Sequence, residues 1–226
     1  MGAGGVEKDD RLTRSGFVGQ PLPAVIDRYD RLAPWYRFVE PSVLLRPGFR
    51  RQAVKRLGLQ AGQRVLEIGC GTGRNLRFLR EAVGAAGRVT GVDVSPGMLA
   101  QAEKTVVRHG WQNVRLIEQD ASTLALDEPV DVVYFSLSYS VLPDRDAVLD
   151  RAWETVRSGG RLTIMDAHLP ENLLGRLLGR PAEAIATAFP GDPYSEPWKD
   201  LARLSPHVQT ERFQLGLYFL CSIRKP

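Results

Sequence analysis

The sequence, 226 residues long, predicts an α/β fold built on a doubly wound, mainly parallel sheet. The apolar run Val65–Ile68 is typical of a short buried strand, and it is followed by a loop with glycines at alternate positions, Gly69, Gly71 and Gly73. Helical spacing of apolar residues begins directly after this loop. A second apolar strand, Val89–Val92, leads to Asp93. Strand, glycine loop, helix and second strand form a βαβ unit that can hold a ligand at the helix N-terminus.

Length and composition favour one domain. A chain of 226 residues with 43% hydrophobic and 25% charged residues can bury a core of its own. Residues 1–19 are charged and rich in glycine and contain no apolar signal-peptide segment, so we expect a flexible lead before a single domain over residues 20–226. The sequence has no run of about eighteen apolar residues, and we therefore expect a cytoplasmic protein.

Residue types that commonly bind metals are few and scattered. Cys70 lies in the glycine loop, Cys221 lies in the last apolar run, and the three histidines follow no metal-ligand spacing. The sequence therefore predicts neither a disulfide framework nor a metal site.

The spacing of the glycines distinguishes this loop from the usual dinucleotide-binding fingerprint. That fingerprint needs a glycine where this chain has Arg74, and here the loop is Gly-x-Gly-x-Gly with Glu67 before it. The stretch Glu67-Ile68-Gly69-Cys70-Gly71-Thr72-Gly73 resembles the first motif of class I S-adenosylmethionine-dependent methyltransferases. Asp93, at the end of the second strand, can accept hydrogen bonds from both ribose hydroxyls of such a cofactor.

The resemblance covers about residues 26–225 and implies S-adenosylmethionine as the cofactor. It implies a Rossmann-like, seven-stranded sheet of order 3-2-1-4-5-7-6, with an antiparallel last strand and helices on both faces. In the family an Asp after the third strand binds the adenine amine, and Asp120 matches it. The cofactor-binding residues that follow from the resemblance are Glu67, Gly69, Cys70, Gly71, Gly73, Asn75, Asp93, Val94, Met98, Asp120, Ala121 and Ser136. Taken alone, an Asp after a strand is often a turn former, and a methionine at helical spacing is usually a core residue.

Local patterns place the remaining elements. We predict strands over residues 114–118, 130–136, 161–165, 207–214 and 217–223, and helices over residues 96–107 and 144–156. Ser95 is a natural N-cap for the first of these helices, with Pro96 in its first turn. Gly159 and Gly160 predict a turn into the fifth strand.

A helical cap is predicted ahead of the first strand, over residues 20–60. Pro34 indicates a break between a short helix and a second helix that ends near Leu57. Residues 29–36 resemble the "YD-x-x-A-x-x-Y" lead-in of the ubiquinone/menaquinone C-methyltransferase group and of bacterial phospholipid N-methyltransferases. The resemblance implies that Tyr29 and Tyr36 contact the substrate, although aromatic residues of a helical cap also commonly serve only in packing.

The acceptor side is predicted after the fourth and fifth strands. Residues 138–143 resemble a "SYS-x-x-x-P" segment of phospholipid N-methyltransferases, while Ser136 stands where many N-methyltransferases have Asn or Asp. Tyr139 and His168 are the candidate catalytic and substrate-binding residues, since a base or a polarising phenol helps methylation of a phenol or carbon. A loop histidine with one local hydrogen bond is the plainer alternative for His168. Residues 167–205 are predicted to form a substrate-side insertion, with a short amphipathic helix near residues 173–178 and a proline-rich connection over residues 190–198.

Basic side chains are concentrated between residues 28 and 56 in a chain of formal charge +4, and they are Arg28, Arg31, Arg37, Arg46, Arg50, Arg51, Lys55 and Arg56. This segment could meet an anionic membrane surface peripherally, or it could be a solvated helix face. Because of it, the sequence favours N-methylation of a phospholipid headgroup of the phosphatidylethanolamine type. Quinone-type C-methylation, methylation of a soluble small molecule and a non-catalytic nucleotide-binding module remain alternatives. We expect no nucleic-acid partner, and the sequence does not indicate an oligomeric state.

Overall fold

A seven-stranded sheet of order β3-β2-β1-β4-β5-β7-β6 forms the centre of the molecule. The computed structural model describes residues 20–36, 48–168, 192, 195–214 and 216–226. The strands are β1 (Arg64–Ile68), β2 (Arg88–Asp93), β3 (Val114–Glu118), β4 (Val130–Ser136), β5 (Val156–Ala167), β6 (Gln209–Phe213) and β7 (Tyr218–Arg224). The first five run parallel to one another, and β7 runs antiparallel to both β5 and β6. The predicted strand order and antiparallel last strand are confirmed.

The fifth strand begins earlier than predicted. β5 already pairs with β4 at Val156, and the register shifts before the regular pairing resumes at Arg161. Gly159 has a φ of 74°, and a Cβ on Gly160 would lie 2.8 Å from the carbonyl oxygen of Asp131. The two glycines therefore form an irregularity inside a paired strand instead of the turn before it.

Helices cover both faces of the sheet, as a doubly wound sheet requires. They are α1 (Leu22–Leu32), α2 (Phe49–Arg56), α3 (Leu76–Val83), α4 (Pro96–Arg108), α5 (Arg145–Thr155) and α6 (Pro197–Leu204). One apolar core contains buried residues of α5 and α6, and the other contains buried residues of α2, α3 and α4. Each of the helices α2 to α6 thus buries apolar residues against the sheet, whereas α1 has no fully buried residue.

Local sequence signals explain where several helices begin. The Ser95 side chain accepts a hydrogen bond from the Met98 N–H over 3.1 Å, which makes Ser95 the N-cap of α4, as predicted. In the same way, Asp144 caps α5 through the Ala147 N–H at 3.0 Å. Within α5 the buried residues are Val148, Leu149 and Ala152, whereas Trp153 is only half-buried.

The predicted helical cap contains α1 and α2. The break falls at residues 33–35, which include Pro34. Phe49, Ala53 and Val54 of α2 and Leu57 directly after it are buried, each at most 3% exposed. The lead over residues 1–19, the amphipathic segment near 173–178 and most of the insertion over 167–205 lie outside the described residues.

Within the residues that the structure describes, no helix is long and apolar enough to cross a membrane. In the same part of the chain, no group of His, Cys, Asp and Glu side chains could hold a metal ion.

Candidate active site

The glycine loop after β1 has a backbone that only glycine adopts easily. Gly69, Gly71 and Gly73 have φ values of 68°, 55° and 76°. A Cβ on Gly69 would lie 2.5 Å from the Cβ of Ser138, and a Cβ on Gly73 would lie 2.7 Å from a methyl group of Leu76. Around Gly71, in contrast, an added Cβ would have no atom within 4 Å among the described residues. The loop is therefore packed on one side and open at Gly71.

Asp93 holds this loop from the end of β2. Its Oδ2 accepts a hydrogen bond from the Gly71 N–H at 2.7 Å, and its Oδ1 accepts one from the Ser95 N–H at 2.9 Å. Burial raises the pKa of Asp93, although both backbone donors act in the opposite direction. The carboxylate therefore joins the glycine loop to the start of α4.

A buried polar cluster lies beside the loop. Asn75 donates from Nδ2 to Glu67 Oε1 at 2.5 Å, and Arg50 donates from Nη1 to Asn75 Oδ1 at 3.0 Å. The same Arg50 nitrogen lies 3.5 Å from Ser136 Oγ. Burial raises the pKa of Glu67 to about 7, against the lowering effects of the Asn75 hydrogen bond and the Arg50 charge. This cluster brings α2, β1 and β4 together at one point.

Aromatic and apolar side chains of the cap lie opposite the loop. Leu22, Val25 and Tyr29 are spaced to share one face of α1, and all three line the same cavity as Tyr36. Burial raises the pKa of the Tyr29 phenol well above its ordinary value and also raises the pKa of the Tyr36 phenol. Both phenols therefore stay protonated at neutral pH.

The loop, the polar cluster and the cap enclose one cavity of about 310 Å³. Tyr29 and Tyr36, the predicted cap residues, line it. The predicted cofactor-binding residues that line it are Glu67, Gly69, Cys70, Gly71, Asn75, Asp93, Val94, Met98, Asp120, Ala121 and Ser136. Gly73 is not among the lining residues, because it packs against Leu76 and Ala102. The volume is in the range of small-molecule sites.

Tyr139 and His168 are not among the residues that line the cavity, and their catalytic and substrate-binding roles stay predictions. Tyr139 is fully buried, and its phenol donates to Asp200 Oδ2 at 2.7 Å. His168 is 8% exposed, with Nδ1 lying 3.3 Å from the Ser195 carbonyl oxygen and its ring edge against Trp198. Leu137, with a φ of 55°, changes the chain direction after β4, so the residues that follow it do not simply continue the strand.

Sequence reasoning missed the position of Arg50. It was predicted as part of a basic surface, whereas it lines the cavity and binds Asn75. Its spacing of three and four residues from the buried Ala53 and Val54 is the signal that could have found it, because residues at i, i+3 and i+4 share one helix face.

The cavity fits S-adenosylmethionine in three respects. Oε2 of Glu67 is buried without a hydrogen-bond partner among the described residues, so a cationic group of a ligand could be bound there. Open space adjoins the glycine loop at Gly71. Asp93 stands at the end of β2, where ribose hydroxyls bind in this type of fold.

Fold and cavity together define a Rossmann-like domain for a cofactor that contains adenosine. Residues 65–160 match the family model described as "Methyltransferase domain". The chain belongs to the class I S-adenosylmethionine-dependent methyltransferases, whose methyl donor is S-adenosylmethionine.

Two relatives are similar in sequence over part of their length. The demethylmenaquinone methyltransferase of Anoxybacillus flavithermus is 30% identical over 154 residues, which are 68% of this chain and 63% of that protein. The aklanonic acid methyltransferase DauC of a Streptomyces species is 39% identical over 102 residues, 45% of this chain and 46% of that protein. The chain thus spans less than two thirds of the length of these relatives.

Two solved structures are similar in fold. An S-adenosylmethionine-dependent methyltransferase from Aquifex aeolicus superposes with a TM-score of 0.61 at 22% identity, over 90% of this chain and 97% of that one. The DhpI-SAM-HEP complex superposes with a TM-score of 0.64 at 22% identity, over 89% and 96%. At this identity the likeness concerns the fold alone.

Proposed function

We propose that the protein transfers a methyl group from S-adenosylmethionine to a small, flat acceptor of the quinol or aromatic polyketide type. The observation that carries the proposal is the position of Tyr29 and Tyr36 on the wall of the same cavity as the glycine loop. Two relatives whose names specify demethylmenaquinone and aklanonic acid support this choice of acceptor.

The residues that would hold the cofactor differ in charge along the cavity. Asp93 would accept the ribose hydroxyls, and Asp120, with Ala121, would contact the adenine, as the family resemblance implies. Glu67 would bind the ammonium group through its buried Oε2, and Arg50 would attract the carboxylate. When bound, S-adenosylmethionine supplies a methyl group on a sulfonium that needs no further activation.

The chain itself then has to orient the acceptor and exclude water. Leu22 and Val25 provide an apolar surface for a flat ring. Tyr29 and Tyr36 remain protonated because burial raises the pKa of both phenols, so they would donate hydrogen bonds to an acceptor oxygen and would not remove a proton from it. This suits an acceptor that reaches the site already activated as a phenolate or enolate.

The hypothesis that the protein N-methylates a phospholipid headgroup loses its main support. Arg50 lies in the cavity wall rather than on a free basic surface, and Arg46 lies outside the described residues. The relatives named above act, by their names, on a quinone and a polyketide acid. We therefore place the quinol or polyketide acceptor ahead of a lipid headgroup.

A labelled-product assay tests the proposal. The protein is incubated with methyl-deuterated S-adenosylmethionine and, separately, with a reduced demethylnaphthoquinone, an aromatic polyketide acid and vesicles containing phosphatidylethanolamine. Products are identified by mass spectrometry. We expect label in an aromatic acceptor, and much less with Asp93→Ala protein. Label in phosphatidylethanolamine alone would overturn the proposed acceptor, and tight cofactor binding without any labelled product would favour a binding module without catalysis.

A further inference from the structure

We propose that Asp30 is a positioning residue that latches α1 over the cavity and so fixes Tyr29 for the reaction. The inference rests on the proposed function only in the identity of the ligand, since the latch itself is a contact within the chain. Asp30 Oδ1 accepts a hydrogen bond from the Ser95 hydroxyl at 2.6 Å and another from the Gly97 N–H at 2.9 Å. These two contacts join the cap to the first turn of α4.

No residue of α1, from Leu22 to Leu32, is fully shielded from solvent, although several of them, Tyr29 included, are partly buried. Its inner face, with Leu22, Val25 and Tyr29, is a wall of the cavity and therefore packs against whatever the cavity contains. The Asp30 contacts therefore fix this helix to the start of α4 at the rim of the cavity.

Gly97 is required for this contact by its lack of a side chain. A Cβ on Gly97 would lie 2.8 Å from Asp30 Oδ1 and 3.1 Å from Asp30 Cα. The second distance involves backbone, so the close approach could be relieved only by moving α1 or the first turn of α4. The first turn of α4 also offers a partial positive charge to the Asp30 carboxylate.

The latch reaches the cofactor-binding residues through Ser95. The Ser95 hydroxyl donates to Asp30, while the Ser95 N–H donates to Asp93 Oδ1 at 2.9 Å. Asp93 in turn accepts from the Gly71 N–H of the glycine loop. Opening of the cap should therefore weaken both acceptor positioning and retention of the cofactor.

Hydrogen exchange of the cofactor-free protein tests the latch directly. We compare the amide exchange of residues 22–32 in the wild type, Asp30→Ala, Gly97→Ala and the double variant. Each single substitution should accelerate exchange of α1 roughly tenfold, the effect of losing about 1.4 kcal/mol. The double variant should exchange no faster than Asp30→Ala, because both changes break the same contact. Asp30→Asn, which keeps an acceptor oxygen, should lie between the wild type and Asp30→Ala.

The matched control is Asp27→Ala. Asp27 lies on the same helix, is exposed, and pairs with Arg31 of that helix, so its loss should leave the exchange of α1 and the dissociation of S-adenosylmethionine unchanged. In Asp30→Ala, cofactor dissociation should be roughly tenfold faster, and the acceptor KM should rise more than kcat falls. Exchange of β1 and β4 serves as the check that Gly97→Ala protein is folded.

The outcomes separate this inference from the proposed function. If α1 exchange is the same in Asp30→Ala and wild-type protein, or if the two substitutions add independently, the latch is wrong. If instead the wild type fails to bind S-adenosylmethionine, the proposed function fails while the exchange data still decide on the latch.

Discussion

Asn75 donates a hydrogen bond to Glu67 Oε1 over 2.5 Å, and Oε2 of the same carboxyl group is buried without a hydrogen-bond partner among the described residues. Glu67 is only 1% exposed. Ionisation of this group is therefore costly in the absence of a ligand, and burial raises the pKa of Glu67 from 4.5 to about 7. The site keeps a proton or receives a cation at this position.

Glu67→Gln should stabilise the cofactor-free protein at alkaline pH relative to the wild type. Since the folded state binds this proton more tightly than the unfolded chain, stability is lost as pH rises from the unfolded pKa of 4.5 to the folded pKa of about 7. A neutral glutamine removes that loss. The difference in free energy of unfolding between variant and wild type should increase by about 3 kcal/mol from pH 4.5 to pH 8, measured by urea denaturation.

Glu211→Gln is the control for this pH dependence. Glu211 is half exposed and pairs with Arg56 at the surface, so this variant removes a carboxyl group without removing a buried one and should not reproduce the increase of about 3 kcal/mol. A nearly constant difference for Glu67→Gln would mean that its carboxyl group is not desolvated.

Asp93→Ala should weaken binding of S-adenosylmethionine by roughly 1–3 kcal/mol, the usual cost of leaving buried polar partners unpaired. The substitution removes the acceptor of the Gly71 and Ser95 N–H groups as well as the expected ribose contact. Calorimetric titration of the folded variant measures the change in dissociation constant.

Asp131→Ala is the matched control for Asp93→Ala, because it removes a carboxylate at the other end of the sheet. Asp131 accepts from the Arg64 N–H at 2.7 Å and from Arg157 at 2.6 Å. This variant should lose stability without losing cofactor affinity. Unchanged affinity in Asp93→Ala, or an equal loss in both variants, would refute the ribose assignment.

The cofactor half of the site could be predicted because its signals are local. Glu67, the glycines and Asp93 belong to one βαβ unit, in which the chain direction fixes where each residue lies. Arg50 could not be assigned in this way, since its partners Asn75 and Ser136 are 25 and 86 residues away. Tyr139 follows a strand end and so was predicted in the site, but the positive φ of Leu137 and a partner 61 residues away, Asp200, place it in the core.

Gly69→Ala and Gly71→Ala should differ in cost although both residues have positive φ. The added Cβ of Gly71→Ala would have no atom within 4 Å among the described residues. This variant should therefore lose only about 1–2 kcal/mol of folding stability, from backbone strain. Gly69→Ala adds a 2.5 Å approach to the Ser138 Cβ, and Ser138 is itself fixed by donating to the Ile68 carbonyl at 2.7 Å. Its free energy of unfolding should fall by roughly 2 kcal/mol more than that of Gly71→Ala.

Ser138→Gly tests whether that contact is the cause. The additional loss in Gly69→Ala should shrink when Ser138 is also glycine, because the clashing Cβ is then absent. Equal thermal stability of Gly69→Ala and Gly71→Ala would contradict this explanation, because it would show that the loop shifts to accommodate the added methyl group at no extra cost.

Tyr139→Phe distinguishes a structural phenol from a catalytic one. The phenol donates to Asp200 and packs edge-on against Phe135, with ring centroids 5.7 Å apart. Burial raises the pKa of Tyr139 far above the working range, and Asp200 acts in the same direction. The phenol is therefore protonated at neutral pH, and we expect it to act in packing and hydrogen bonding. Loss of the hydroxyl should cost about 1–3 kcal/mol of stability, because it leaves Asp200 without this donor.

Below the unfolding temperature, kcat of Tyr139→Phe should stay within about threefold of the wild type, because that phenol lies outside the cavity wall. Asp200→Asn, which alters the same hydrogen bond from the other side, should show the same pattern of reduced stability and retained turnover. A hundredfold loss of kcat in Tyr139→Phe alone, with thermal stability intact, would instead place the phenol at the reacting atoms. That result would require the loop after β4 to rearrange when the acceptor binds, since Leu137 and Ser138 now hold it through the Met165 and Ile68 carbonyl oxygens.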